Sequence, residues 1–254
     1  MLEVRNLSKR FCRSAAVDDV SFIIRPYEVL GYLGPNGSGK TTTVNMLTGL
    51  LDPSDGEILF DGRRITDDLI GYKRRLGYVP EIPYLYAYLS GLEYLELAGR
   101  LRAMPERLMK EKINSLLELF SLREARHSQL TSYSKGMKQK ILISAAILHN
   151  PDLLIFDEPL SGLDVTSALV FKHLVKALAA EGKCILYSSH VLEVVEKVCT
   201  HVMILRKGRV VAHDTVQSLR TLANLPSLED VFAQLVLQED TEQTARTIVQ
   251  VMRA

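Results

Sequence analysis

The chain has 254 residues, 47% of them apolar and 24% charged, with a net charge of +1. That length supports a full hydrophobic core and that composition is globular, which excludes a disordered chain. A near-neutral total carries none of the basic excess of nucleic-acid binders, so no nucleic acid is expected as a partner.

The three cysteines, Cys12, Cys184 and Cys199, are odd in number and lack CxxC spacing. They read as free thiols in a reducing compartment, each a small core residue. The opening MLEVRNLSKRF has no apolar signal core, and the longest nearly apolar run, 141–148, is far short of the ~18 residues of a membrane span. The expectation is a cytoplasmic chain that meets a membrane only through a partner.

In chain order, LEVRNLSKRF and VDDVSFII read as strands, and EVLGYLG runs into the glycine-rich GPNGSGKTT. TTTVNMLTGL then reads as a helix closing near Gly49, and GEILF, Asp61-Gly62, RRI as a hairpin. From 91 to 150 the pattern changes: LEYLELAGRL, ERLMKEKINSLLELF and a helix over 135–149 place apolar residues three and four apart. Strand character returns in LLIF and KCILYSS, short unbroken apolar runs that suit a parallel sheet covered on both faces, with the helix SALVFKHLVKALAA between them. HVMILRKGRVVAH is a hairpin about Lys207-Gly208, and SLEDVFAQLVL opens with the capping pair Ser227 and Asp230. The reading is a core over 1–81 and 151–214, an inserted helical block over 82–150, and C-terminal helices over 215–254.

The stretch from Gly34 to Thr41 fits G-x4-G-K-[ST]. Its glycines let successive N–H groups turn toward phosphate oxygens, the next helix adds its positive end, Lys40 reaches the outer phosphates and Thr41 offers a hydroxyl to Mg2+. LLIFDEP ends a buried strand in two carboxylates, which a doubly wound sheet would bring to the ligand crevice. Asp157 then serves the metal, and Glu158, biased toward an extended backbone by Pro159, accepts a proton from the attacking water. By themselves these acids would read as a capping or salt-bridged pair; the glycine loop makes the catalytic reading the stronger. His190 follows the KCILYSS strand, where its Nε2 can reach a γ-phosphate. The other histidines, at 127, 149, 173, 201 and 213, read as surface or packing residues.

These motifs, in this order, resemble the nucleotide-binding subunits of ATP-binding cassette (ABC) transporters over nearly the whole chain. GPNGSGKTT looks like Walker A, LLIFDEP like Walker B, Ser161 to Asp164 like the D-loop and His190 like the switch histidine. Phe11, twenty-nine residues before Lys40, stands where the family stacks an aromatic ring on adenine. YSKGMKQK stands at the signature sequence, matching at Ser134 and Gly136, with Lys135 and Met137 replacing a glycine and a glutamine. In the family that segment binds the ATP of the opposite subunit, which fits a serine hydroxyl, a glycine N–H and a helix start.

The resemblance implies an α/β P-loop NTPase fold with a mainly parallel sheet, an antiparallel β subdomain and an inserted helical subdomain. It implies ATP and Mg2+ as ligands: Gly34, Asn36, Gly37, Ser38, Gly39, Lys40, Thr41, Thr42, Glu81, Ser134, Gly136, Asp164 and Phe11 around the nucleotide; Thr41, Asp157 and Glu81 toward the metal; Glu158, His190 and Lys40 in catalysis. The implied partners are a second nucleotide-binding subunit, identical or paralogous, and a polytopic membrane subunit at the cytoplasmic face of the cell membrane. Glu81 replaces the usual glutamine of the Q-loop and accepts hydrogen bonds without donating them. This glutamate and the YSKGM signature are similar to those of the ABC-2 branch, whose members mostly export.

For Tyr84, Tyr86 and Tyr88 two readings stand: a groove for the membrane subunit, or packing within the helical block. Two other functions remain as alternatives: a soluble ABC ATPase acting on nucleic acid or the ribosome, and a scaffold that binds ATP without hydrolysing it. The short interval between Walker A and signature and the single cassette weigh against the first; Glu158 and His190 weigh against the second.

Overall fold

The computed structural model describes residues 1–12, 14–223, 227–236 and 251–252. Strands β1 (Leu2–Phe11) and β2 (Ser14–Ile24) form an antiparallel hairpin, joined on the β1 side by β4 (Asp55–Phe60) and the short β5 (Arg63–Arg64), in the order β2-β1-β4-β5. The second sheet runs β10-β9-β3-β8-β7-β6, with β3 at Val29–Leu33, β6 at Leu76–Val79, β7 at Leu153–Asp157, β8 at Cys184–Ser188, β9 at His201–Arg206 and β10 at Arg209–Thr215. Its pairings are parallel except for the β9–β10 hairpin. Every residue of β3, β7 and β8 is buried, as their unbroken apolar sequences require.

Two apolar layers explain that burial. On one face Leu30, Tyr32, Leu153, Ile155 and Leu186 pack with Val44 and Met46 of α1 (Lys40–Leu47) and with Leu2, Val4 and Phe22 of the antiparallel sheet. On the other, Leu33, Phe156, Ile185 and Tyr187 pack with Phe171 and Val175 of α6 (Val165–Ala180) and Val194 and Val195 of α7 (Leu192–Val198). Leu219 of α8 (Val216–Ala223) and Leu228 and Val231 of α9 (Leu228–Val236) join this second layer. The cap expected at Ser227 is present, its Oγ accepting from the Asp230 N–H at 3.2 Å. The rest of the expected C-terminal helical region lies outside the described residues.

Between β6 and β7 the chain forms α3 (Gly91–Leu101), α4 (Glu106–Leu119) and α5 (Lys135–Ile147). These have a core of their own, including Leu95, Met109, Ile113, Leu117, Tyr133 and Ile141. A Ser90/Glu93 capping box starts α3, each side chain accepting the other residue's N–H. Among the described residues no helix is long and apolar enough to cross a membrane.

Three local expectations are corrected. Helix α5 ends at Ile147, two residues before the expected 149. The strand β6 and the six-residue helix α2 (Leu69–Arg74) just before it carry patterns too short to read. Cys12 is exposed, because it occupies the tip of the β1–β2 hairpin at φ 50°; Cys184 and Cys199 are buried as expected.

Candidate nucleotide site

Four adjacent parallel strands, β3, β8, β7 and β6, release their carboxyl ends toward one side of the sheet. The loop from Gly34 leaves β3, His190 follows β8, Asp157 ends β7 with Glu158 directly after it, and Glu81 lies two residues past β6. The topology thus collects motifs spread over more than half of the chain, as expected at strand ends of an open α/β sheet.

The glycine loop is shaped by its neighbours. Gly39 sits at φ 105°, and a side chain there would strike the Ala16 carbonyl 2.4 Å away, so only glycine closes this turn. Helix α1 begins with no side-chain cap, leaving its first N–H groups to an anion. The Ser38 Oγ is buried without a hydrogen-bond partner, while Asn36 and Gly37 are exposed at the loop tip. Lys40 Nζ donates to the Gly34 and Pro35 carbonyls at 2.5 and 3.1 Å. Thr41 is exposed at the helix start and Thr42 half-buried behind it.

Facing the loop, Asp157 is 3% exposed. Burial pushes its carboxyl up to about 6, with the charges of Glu81 and Glu158 adding and Lys40 opposing. Burial likewise lowers the Lys40 ammonium, against the pull of Glu158, Asp157 and Glu81. These couplings place Lys40 and three acids in one electrostatic cluster. Thr41, Asp157 and Glu81 carry oxygen donors of the kind a hard divalent cation takes, and the two acids lie in this partly buried cluster.

Glu158 corrects the sequence reading: its φ is 48°, a left-handed conformation, where Pro159 had argued for an extended one. The bonds around it explain the reversal. Its N–H donates to Ser188 O at 2.9 Å, and its Oε1 accepts from both the N–H and the Nδ1 of His190 at 2.8 Å. Ser189 Oγ adds a bond to Oε2 at 3.3 Å. Such a non-glycine residue costs about 1–3 kcal/mol and persists where surroundings over-determine it. With Nδ1 directed at Glu158, the Nε2 of the largely exposed His190 is the ring nitrogen turned away from it.

The remaining predicted residues lie on two other surfaces. Phe11 ends β1 and is 49% exposed, with Lys9 Nζ 5.5 Å from its ring centre. Ser134 caps α5 by accepting the Met137 N–H at 3.2 Å, and its hydroxyl proton remains available for donation. Gly136 lies against the backbone of Gly162, and Asp164 caps α6 through Ser167 N at 2.8 Å. Those Ser167 bonds hold the Asp164 carboxyl down to about 2. Sequence reasoning missed Ser189 and Gly208. The first needed only its adjacency to His190; the second braces the glycine loop by donating its N–H to Ser38 O at 3.0 Å, which only the folded sheet reveals.

The ABC transporter family model matches residues 17–161. The chain belongs to the ABC transporter family. The ABC transporter ATP-binding protein YxlF of Bacillus subtilis, itself uncharacterised, is 39% identical over 220 residues, covering 87% of this chain and 72% of the relative. The Nod factor export ATP-binding protein I of Cupriavidus metallidurans is 33% identical over 222 residues, with 86% and 73% covered. A solved structure of an ATP-binding subunit of an ABC transporter superposes with a TM-score of 0.88 at 35% identity, over 92% of this chain and 99% of that one. The α/β P-loop fold is thereby established, and this ABC subunit is an ATPase that powers a membrane transporter.

Proposed function

We propose that the chain binds ATP on the Gly34–Thr42 loop and hydrolyses it with Glu158 as proton acceptor, inside a head-to-tail pair whose partner closes the nucleotide with its own signature helix. The observation that carries this reading is the convergence of Lys40, Asp157, Glu158, Glu81 and His190 at the carboxyl ends of four neighbouring strands. Phe11 stacks on adenine, while Asn36, Gly37, Ser38 and Gly39 with the start of α1 hold the phosphates. Water attacks the γ-phosphorus as its proton passes to Glu158, and the bond to the β-phosphate oxygen breaks to release ADP. Lys40 stabilises charge on the outer phosphates, and His190 donates from Nε2 to the γ-phosphate. Thr41, Asp157 and Glu81 would hold Mg2+, which when bound would supply further charge neutralisation there. The opposed Ser134, Gly136 and Asp164 complete the second face.

A groove supports a membrane partner. Leu50, Ile70, Leu76, Tyr78 and Leu101 line a cavity of about 370 Å³ edged by Lys73, Arg74 and Arg102, between the β6 edge of the sheet and α3. Tyr86 and Tyr94 continue it along the helical block, with ring centres 6.4 Å apart. Tyr84 and Tyr88 are 78% and 84% exposed, which favours a partner surface over internal packing. The chain then works at the cytoplasmic face of the membrane. Export is the direction favoured by the export relative and by Glu81 with YSKGM.

The test is steady-state hydrolysis by the purified chain, alone and with its membrane partner. Glu158→Gln and Lys40→Ala are expected to lower turnover by roughly a hundredfold or more. Turnover within twofold of the natural chain in both variants would refute the assignment.

A further inference from the structure

Helix α5 begins at the signature residues and returns into the protein. Six residues after Tyr133, Gln139 is 2% exposed, and its Nε2 donates to the Pro159 carbonyl at 2.9 Å. Pro159 directly follows Glu158 in the left-handed turn that holds the catalytic carboxylate. Two further contacts tie the same segments. A methyl group on Gly136 would lie 2.6 Å from the Gly162 carbonyl oxygen, so the backbones meet directly there, and Lys140 Nζ lies 3.7 Å from the Asp164 carboxylate. Residues 134–140 and 158–164 are therefore tied at three points.

We propose that Gln139 is a positioning residue for ATP hydrolysis: through Pro159 it fixes the turn carrying Glu158 relative to the helix end that faces the second nucleotide. This inference rests on the reading of Glu158 and of Ser134 and Gly136 given above. One end of the clamp meets the ATP on this chain's own loop, and the other meets the ATP on the opposed chain's loop. Closure around one nucleotide thus orients the acid that acts on the other, which makes the two sites cooperative. Of the three tethers, the Gln139 bond is the deeply buried one: solvent cannot replace a lost donor as it can at the exposed Asp164 carboxylate. Gln139 touches neither the loop nor the acid itself, so its effect falls on orientation and leaves nucleotide binding by the loop intact.

Gln139→Met in the full-length protein keeps the side-chain length and removes the donor. Gln139→Asn keeps an amide but falls one methylene short, and it supplies the readout should the methionine variant not fold. The measurements are ATP affinity of the single chain at low protein concentration, kcat, KM and the Hill coefficient. Affinity is expected to stay within about twofold, while kcat falls about three- to tenfold and the Hill coefficient drops toward 1. An unchanged kcat and Hill coefficient in a folded variant would overturn the proposal. So would a kcat loss matched by an equal loss of ATP affinity, which marks a merely structural role. A Hill coefficient of 1 in the natural chain would overturn the coupling directly. The Glu158→Gln control separates the two levels: full turnover there refutes the underlying site, whatever Gln139 does.

Discussion

Asp157 is a buried carboxylate whose ionised form opposes stability, and its proposed chemistry would account for that cost. Its folded-state pKa of about 6 lies above the ordinary 3.8, so the ionised form is the penalised one. The penalty is fully present above about pH 6 and is relieved as pH falls from there toward 3.8. Asp157→Asn should therefore raise the unfolding free energy of the nucleotide-free protein at pH 7.5, by about 3 kcal/mol, with the gain vanishing near pH 4. The same variant should lose metal-dependent hydrolysis. Chemical denaturation at the two pH values checks this, and a less stable variant at pH 7.5 would show that the carboxylate is a structural anchor instead. The glycine loop was legible in the sequence because glycine lets N–H groups turn inward so tightly, and the paired acids were legible only beside it, since alone they would read as caps or ion-pair partners. Glu158's backbone was not legible, since the local bias from Pro159 yields to bonds from Ser188 and His190, thirty residues away.

Elements follow the same rule of local against distant causes. Strands β3, β7 and β8 announce themselves as unbroken apolar runs because both faces of each are covered. The four-residue β6 does not, and its Gly77 is set by closeness to the Ala146 carbonyl on α5, a contact that no short-range pattern encodes. That unread strand forms one wall of the groove assigned to the membrane subunit. Ile70 of α2 and Leu101 of α3 are 70% and 66% exposed along it, large apolar residues placed where a partner helix would cover them. Leu101→Asp should abolish co-purification with the membrane partner while leaving ATP hydrolysis by the isolated chain within twofold. Full co-purification would move the docking surface elsewhere; equal loss of hydrolysis would mean that the groove supports the site itself.

At the scale of the whole molecule the described chain presents two unlike faces of one reaction. The loop, acids and His190 form one, and the start of α5 with the D-loop forms the other, with Gln139 and Gly136 joining them through the interior. On the proposed reading each face is half of a nucleotide site, and hydrolysis needs a second such subunit to supply the missing half. The order of motifs made the family and its fold legible in the sequence, whereas the contacts of Gln139 and Gly136 between the two faces are tertiary and carry no local pattern. Light scattering of Glu158→Gln protein, with and without ATP in magnesium-free buffer, tests this most directly. The account predicts a 28.5 kDa species without nucleotide and a doubling of that mass with ATP, a doubling that Ser134→Ala in the same background reduces. A mass that stays at one chain while ATP is bound would contradict a pair of identical chains, since the signature helix would then close on no second copy's nucleotide.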